Sequence, residues 1–95
     1  MAHNADYKLI LQRLRSVRKI KGWTLRHVEE YSHGEISAIV LGSWERGTRK
    51  PSLERLLVLC NEIYHVPFSA IVTNSHEDFI KQMVASYLPD QKVKG

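Results

Sequence analysis

Apolar residues three and four apart, set between a hydroxyl that can start a helix and a glycine that can stop one, leave a chain little choice of local structure. The run Ser37-Ala38-Ile39-Val40-Leu41-Gly42-Ser43-Trp44-Glu45-Arg46-Gly47 has this form. Val40, Leu41 and Trp44, with Ile36 just ahead, fall on one side of a 3.6-residue period. Ser37 stands at the cap position, and Gly47 stands where a left-handed terminal residue is expected. Thr48-Arg49-Lys50-Pro51 follows, and Ser52 then opens the next helix. A short apolar helix beside a cationic loop is an arrangement that can lay a helix against nucleic acid.

The same periodicity extends to both sides. From Asp6 to Lys21 the residues Leu9, Ile10, Leu14, Val17 and Ile20 recur at helical spacing, with bases on the other face and Gly22 as a stop. Trp23 reads as a core anchor and Thr24 as a cap. Leu25, Val28 and Tyr31 form one face of a short second helix that ends before Ser32-His33-Gly34, so helices two and three form a helix-turn-helix with Gly34 in the turn. Ser52 caps a fourth helix, whose Leu53, Leu56, Leu57, Leu59, Cys60 and Ile63 are too apolar for a surface element and predict the central packing helix. Pro67 opens a brief fifth helix with Ile71 and Val72. Residues 76–88 give a last amphipathic helix before Pro89 and a charged tail. No run alternates with period two. The expected fold is all-α: a five-helix domain over residues 6–72, an added helix at 76–88 and a tail at 89–95.

Ninety-five residues build one small core. Fourteen Lys and Arg against ten Asp and Glu give a formal charge of +4, which suits an anionic partner without requiring one. The single cysteine, Cys60, excludes an internal disulfide and reads as a small buried apolar residue. His3, His27, His33, His65 and His76 lack metal-ligand spacing, so no metal and no cofactor are expected. There is no Gly-x-Ser-x-Gly elbow and no phosphate-cradling glycine loop, which argues against an enzyme. No stretch approaches the roughly 18 apolar residues of a membrane span, and the polar start is unlike a signal peptide, so the cytoplasm is the expected compartment.

Four motifs in order, Leu14-Arg15-x-x-Arg18, Gly22-Trp23-Thr24, Leu41-x-x-Trp44-Glu45-x-Gly47 and Pro51-Ser52-Leu53, resemble the Xre/Cro-type (lambda-repressor-like) helix-turn-helix domain of phage repressors and bacterial regulators over about residues 9–72. Within that family, Val28-Glu29-x-x-Ser32-x-Gly34 and Ala38-Ile39-Val40-x-Gly42-Ser43-Trp44-Glu45-Arg46-Gly47-x-Arg49 look most like the BldD-type developmental regulators of actinobacteria. The chain departs from the family at two points. Leu25 and Ala38 stand where many members carry glutamine, which implies sparse polar reading of bases. No arginine follows Arg55, so the cyclic-dinucleotide site of the BldD-type C-terminal domain is not carried over.

The resemblance implies a transcription regulator that binds double-stranded DNA, with Ser37, Ala38, Ile39 and Ser43 facing the major groove and Arg46, Thr48, Arg49 and Lys50 meeting the backbone. The residue types fit: serine donates or accepts at any base edge, alanine and isoleucine can touch a thymine methyl, and cations add salt-sensitive attraction to phosphate. It also implies an ion pair between Arg18 and Glu45. Trp44 reads as core, whereas Gly42 could admit either a neighbouring helix or a DNA backbone. Phe79, Ile80, Met83, Val84 and Tyr87 either cover the core or form the interface of a homodimer that reads two half-sites. The alternative to DNA reading is a protein-binding module of the same fold, such as an antitoxin or a transcription cofactor.

Overall fold

Side-chain oxygens set the starts of three helices. Thr24 Oγ1 accepts the His27 N–H, Ser37 Oγ that of Val40 and Ser52 Oγ that of Arg55, each satisfying a donor with no partner inside its helix. The structure is a computed structural model and describes residues 7–73 and 75–87. Six helices follow in order: α1 (Tyr7–Ile20), α2 (Leu25–Tyr31), α3 (Ala38–Arg46), α4 (Leu53–Leu57), α5 (Phe68–Val72) and α6 (His76–Tyr87). No strand occurs among the described residues, and the fold is all-α as expected. The expected tail at 89–95, Leu88 and the Tyr87 side chain lie outside what is described.

α4 continues directly into a π-helical stretch, Val58–Ile63, which the periodicity does not foreshadow. The Tyr64 N–H reaches back five residues to the Leu59 carbonyl at 2.8 Å, a wider loop than the α-helical four. The resulting register turns Leu56, Leu59, Cys60 and Tyr64 inward and leaves Ile63 half-buried. Leu53 and Leu57, expected inside, face outward.

One buried cluster joins all six helices: Ile10, Leu11, Leu14 and Val17 from α1, Val28 from α2, Leu41 and Trp44 from α3, then Leu56, Leu59, Ile71, Phe79 and Met83. Phe79 and Met83 therefore belong to the core of a single copy, and of the two readings left open for this stripe the dimer interface is corrected, for these two, to core cover. Ile80 and Val84, one position further round α6, are exposed.

α1 is not a plain amphipathic helix with a solvated basic face. Arg13 is fully buried. Its Nη1 donates to the carbonyls of Ile71 at 2.9 Å and Thr73 at 2.5 Å, and its guanidinium stands 5.0 Å from the centre of the Phe79 ring. A cation at the carbonyl end of α5 meets the negative end of that helix, which ties α1 to α5 and α6. Burial pulls the Arg13 pKa below its ordinary value.

Candidate nucleic-acid interface

α2 and α3 are joined by Ser32–Ser37, a longer turn than the usual three or four residues. The Ser32 hydroxyl knots it, donating to the Glu29 carbonyl at 3.1 Å and accepting the Ile36 N–H at 3.1 Å. His33 and Gly34 both take left-handed backbone angles, φ 55° and 83°, which turns the chain toward α3. The Glu29 carboxylate then accepts the Ala38 N–H at 2.9 Å, placing a negative charge at the positive end of α3. The start of α3 is thus held from both sides, by Ser37 and by Glu29.

The faces of α3 sort the expected site residues. Leu41 and Trp44 point inward. Ile39 points out and is 81% exposed, more than any other large apolar residue described. Ala38 and Ser37 are half-buried beside it, and the Ser37 oxygen carries the cap bond. Ser43 is corrected: it is buried, and its hydroxyl donates to the Val40 carbonyl at 2.6 Å, so it does not belong to the outward set. Gly42 admits α2, because a methyl group there would come within 3.3 Å of Leu25 Cδ1 and 3.2 Å of Arg46 Nη1. Of its two readings, helix packing is the one the geometry supports.

The end of α3 is equally well fixed. Gly47 is left-handed at φ 81°, and the Ser43 carbonyl collects the Thr48 N–H at 2.9 Å and the Thr48 hydroxyl at 3.2 Å. Arg46, Thr48, Arg49 and Lys50 are all exposed. The loop is latched to α1: the Tyr7 hydroxyl donates to the Pro51 carbonyl, and the Lys50 ammonium lies 5.4 Å from the centre of the Tyr7 ring.

Arg18 and Glu45 form a two-pronged pair, Nε to Oε2 at 2.7 Å and Nη2 to Oε1 at 2.8 Å. Arg18 Nη1 donates also to the Trp23 carbonyl at 2.7 Å, so one guanidinium joins α1, the following turn and the end of α3. The bond to Glu45 raises the Arg18 pKa, against the opposing effect of burial. Glu45 thus faces an arginine inside the fold and leaves the outer surface cationic.

The motifs did not single out Lys8 and Gln12, and Arg15, quoted within Leu14-Arg15-x-x-Arg18, was given no place in the site. They follow the i, i+4, i+7 row on the side of α1 away from the core, and they border depressions shared with Arg46, Gly47 and Lys50. That spacing was the available signal. Among the described residues no group of His, Cys, Asp or Glu is placed to hold a metal ion, and no helix is long and apolar enough to cross a membrane.

A capped, outward-facing second helix of a helix-turn-helix, framed by cations, defines the class of helix-turn-helix regulators. No protein-family profile matches the chain, and no curated protein matches it. Solved structures do. The DNA-binding domain of BldD is 38% identical over 70% of this chain and 92% of its own, with a TM-score of 0.63. The DNA-binding domain of S. venezulae BldD is 38% identical over 72% of this chain and 99% of its own, with a TM-score of 0.62. The clp gene regulator ClgR from Corynebacterium glutamicum is 25% identical over 92% of this chain and 86% of its own, with a TM-score of 0.60. The chain belongs to the family of BldD-like helix-turn-helix regulators.

Proposed function

We propose that the protein is a sequence-specific DNA-binding transcriptional regulator that lies with α3 in the major groove and grips the flanking phosphates through Arg46, Thr48, Arg49 and Lys50. One observation carries this reading: the outward side of a helix fixed at both ends is bordered by exposed cations on a latched loop. The likeness to DNA-binding domains supports it. Base contact falls to Ser37, Ala38 and Ile39. Two copies on two half-sites remain part of the reading, with Ile80 and Val84 as the exposed apolar pair of α6 that would take part.

The test is the salt dependence of binding to a duplex selected from a random pool. Each phosphate contact contributes about −0.9 to the slope of log affinity against log salt, so Arg49→Ala and Lys50→Ala should each shallow that slope by about one unit. Both should weaken cognate and unrelated DNA alike. An unaltered slope with a changed base preference would overturn the assignment of these residues, and a pool that yields no bound duplex would overturn the function.

A further inference from the structure

We propose that the direct readout by α3 is apolar, with Ile39 recognising the C5-methyl group of thymine in the major groove. The inference rests on the DNA-reading function above and names the chemistry that this helix can distinguish.

It follows from what the fold does with the polar side chains of α3. Ser43 donates its hydroxyl to the Val40 carbonyl at 2.6 Å and is buried. The Ser37 oxygen accepts the Val40 N–H at 3.1 Å. The Ala38 N–H is taken by Glu29 at 2.9 Å, so the helix start offers no free donor at that position. Arg46, Arg49 and Lys50 follow the first turn in sequence, and Arg55, which borders one depression with Ser37, Arg49 and Lys50, spends an N–H on the Glu35 carbonyl at 2.7 Å. What the first turn presents outward is a branched hydrocarbon, Ile39, with the methyl of Ala38 beside it. Single exposed apolar residues are ordinary on protein surfaces. Ile39 differs in degree and in place, at 81% exposure against 60% for Leu53, the next highest, and on the outer face of a helix whose other end is cationic.

In the major groove, thymine alone of the four bases carries a methyl at the edge, while cytosine presents an amino donor there. A hydrocarbon placed against the groove gains by covering that methyl, whereas cytosine has only a hydrogen at C5, and both bases carry one polar group at C4 that a hydrocarbon cannot pair. Ile39 would therefore select thymine through the methyl, and Ala38 would give the close approach that a longer side chain would prevent.

The test uses the full chain and the selected duplex, replacing each thymine in turn by deoxyuridine. The exchange removes one methyl and leaves base pairing and backbone unchanged. Fluorescence anisotropy at fixed salt should show one or two positions where deoxyuridine weakens binding about fourfold, the ratio for one methyl-sized group withdrawn from burial. In Ile39→Ala, whose exposed site leaves the core untouched, the deoxyuridine penalty at one of those positions should vanish. A duplex that binds with the expected salt slope but tolerates deoxyuridine everywhere would overturn methyl reading and leave DNA binding standing. Penalties that persist unchanged in Ile39→Ala would overturn it equally. Failure to bind any duplex would remove both.

Discussion

Replacing Glu45 by alanine strands a buried cation, and the size of the loss can be worked from the geometry. The Arg18 and Glu45 side chains are 10% and 6% exposed, and their two charge-assisted bonds measure 2.7 and 2.8 Å. Without the carboxylate, Arg18 keeps the Trp23 carbonyl but loses its counter-charge and the acceptor of two N–H groups. Breaking a buried pair in this way costs about 3–5 kcal/mol, against a total of about 5–14 kcal/mol for a domain of this length. At about 4–8 °C per kcal/mol, melting should fall by at least about 12 °C. Thermal unfolding followed by circular dichroism, with urea titration to check that the slope is unchanged, measures it. Arg18→Met should be milder, because Arg15 stands 3.6 Å from Glu45 and remains as a partial counter-charge. The double variant Arg18→Met with Glu45→Leu should recover much of the single Glu45 loss, since an apolar pair has no charge to desolvate. A Glu45→Ala protein that melts with the parent would refute the reasoning, as would a double variant less stable than the two losses summed.

Two further outcomes follow from burial. In urea denaturation, Phe79→Glu or Met83→Glu should each cost more than about 3 kcal/mol, while Ile80→Glu and Val84→Glu should stay within about 0.5 kcal/mol; four similar losses would show that α6 does not pack in this orientation. Cys60 is buried and its thiol is pushed up to about 12 from 9.0, so between those values the unfolded chain loses a proton that the folded chain keeps. Its contribution to stability is then complete below pH 9 and declines by up to about 1.36 kcal/mol per pH unit above it, a component that Cys60→Ala should remove.

The helix limits were legible because they depend on neighbours in sequence. Thr24, Ser37, Ser52 and Gly47 act within their own turns, and one residue type at one offset suffices. Arg13 was not legible by type, since its acceptors lie 58 and 60 residues away and exist only once α5 ends against α1. Its position was a clue, three residues after Ile10 and four before Val17, within the buried stripe. Ser43 was misplaced for a related reason. A serine on a helix can bond to water or a base, or back to a carbonyl of its own turn, and the choice depends on how far the helix rolls against α2. On α6 one helical stripe was assigned a single fate, whereas Phe79 and Met83 lie on the inner side and Ile80 and Val84 one residue further round.

The bond from Glu29 to the start of α3 has a consequence for how this protein could travel on its target. A bare helix start attracts any phosphate by its aligned N–H groups and holds it as a fixed clamp. Here the Glu29 carboxylate already holds the Ala38 N–H, so that donor is closed to a phosphate. Cations stand close by instead: Arg55 donates to the Glu35 carbonyl and borders one depression with Ser37, Arg49 and Lys50. Phosphate held at this end of α3 would then rest on long side chains, which can pass from one phosphate to the next without a change of backbone.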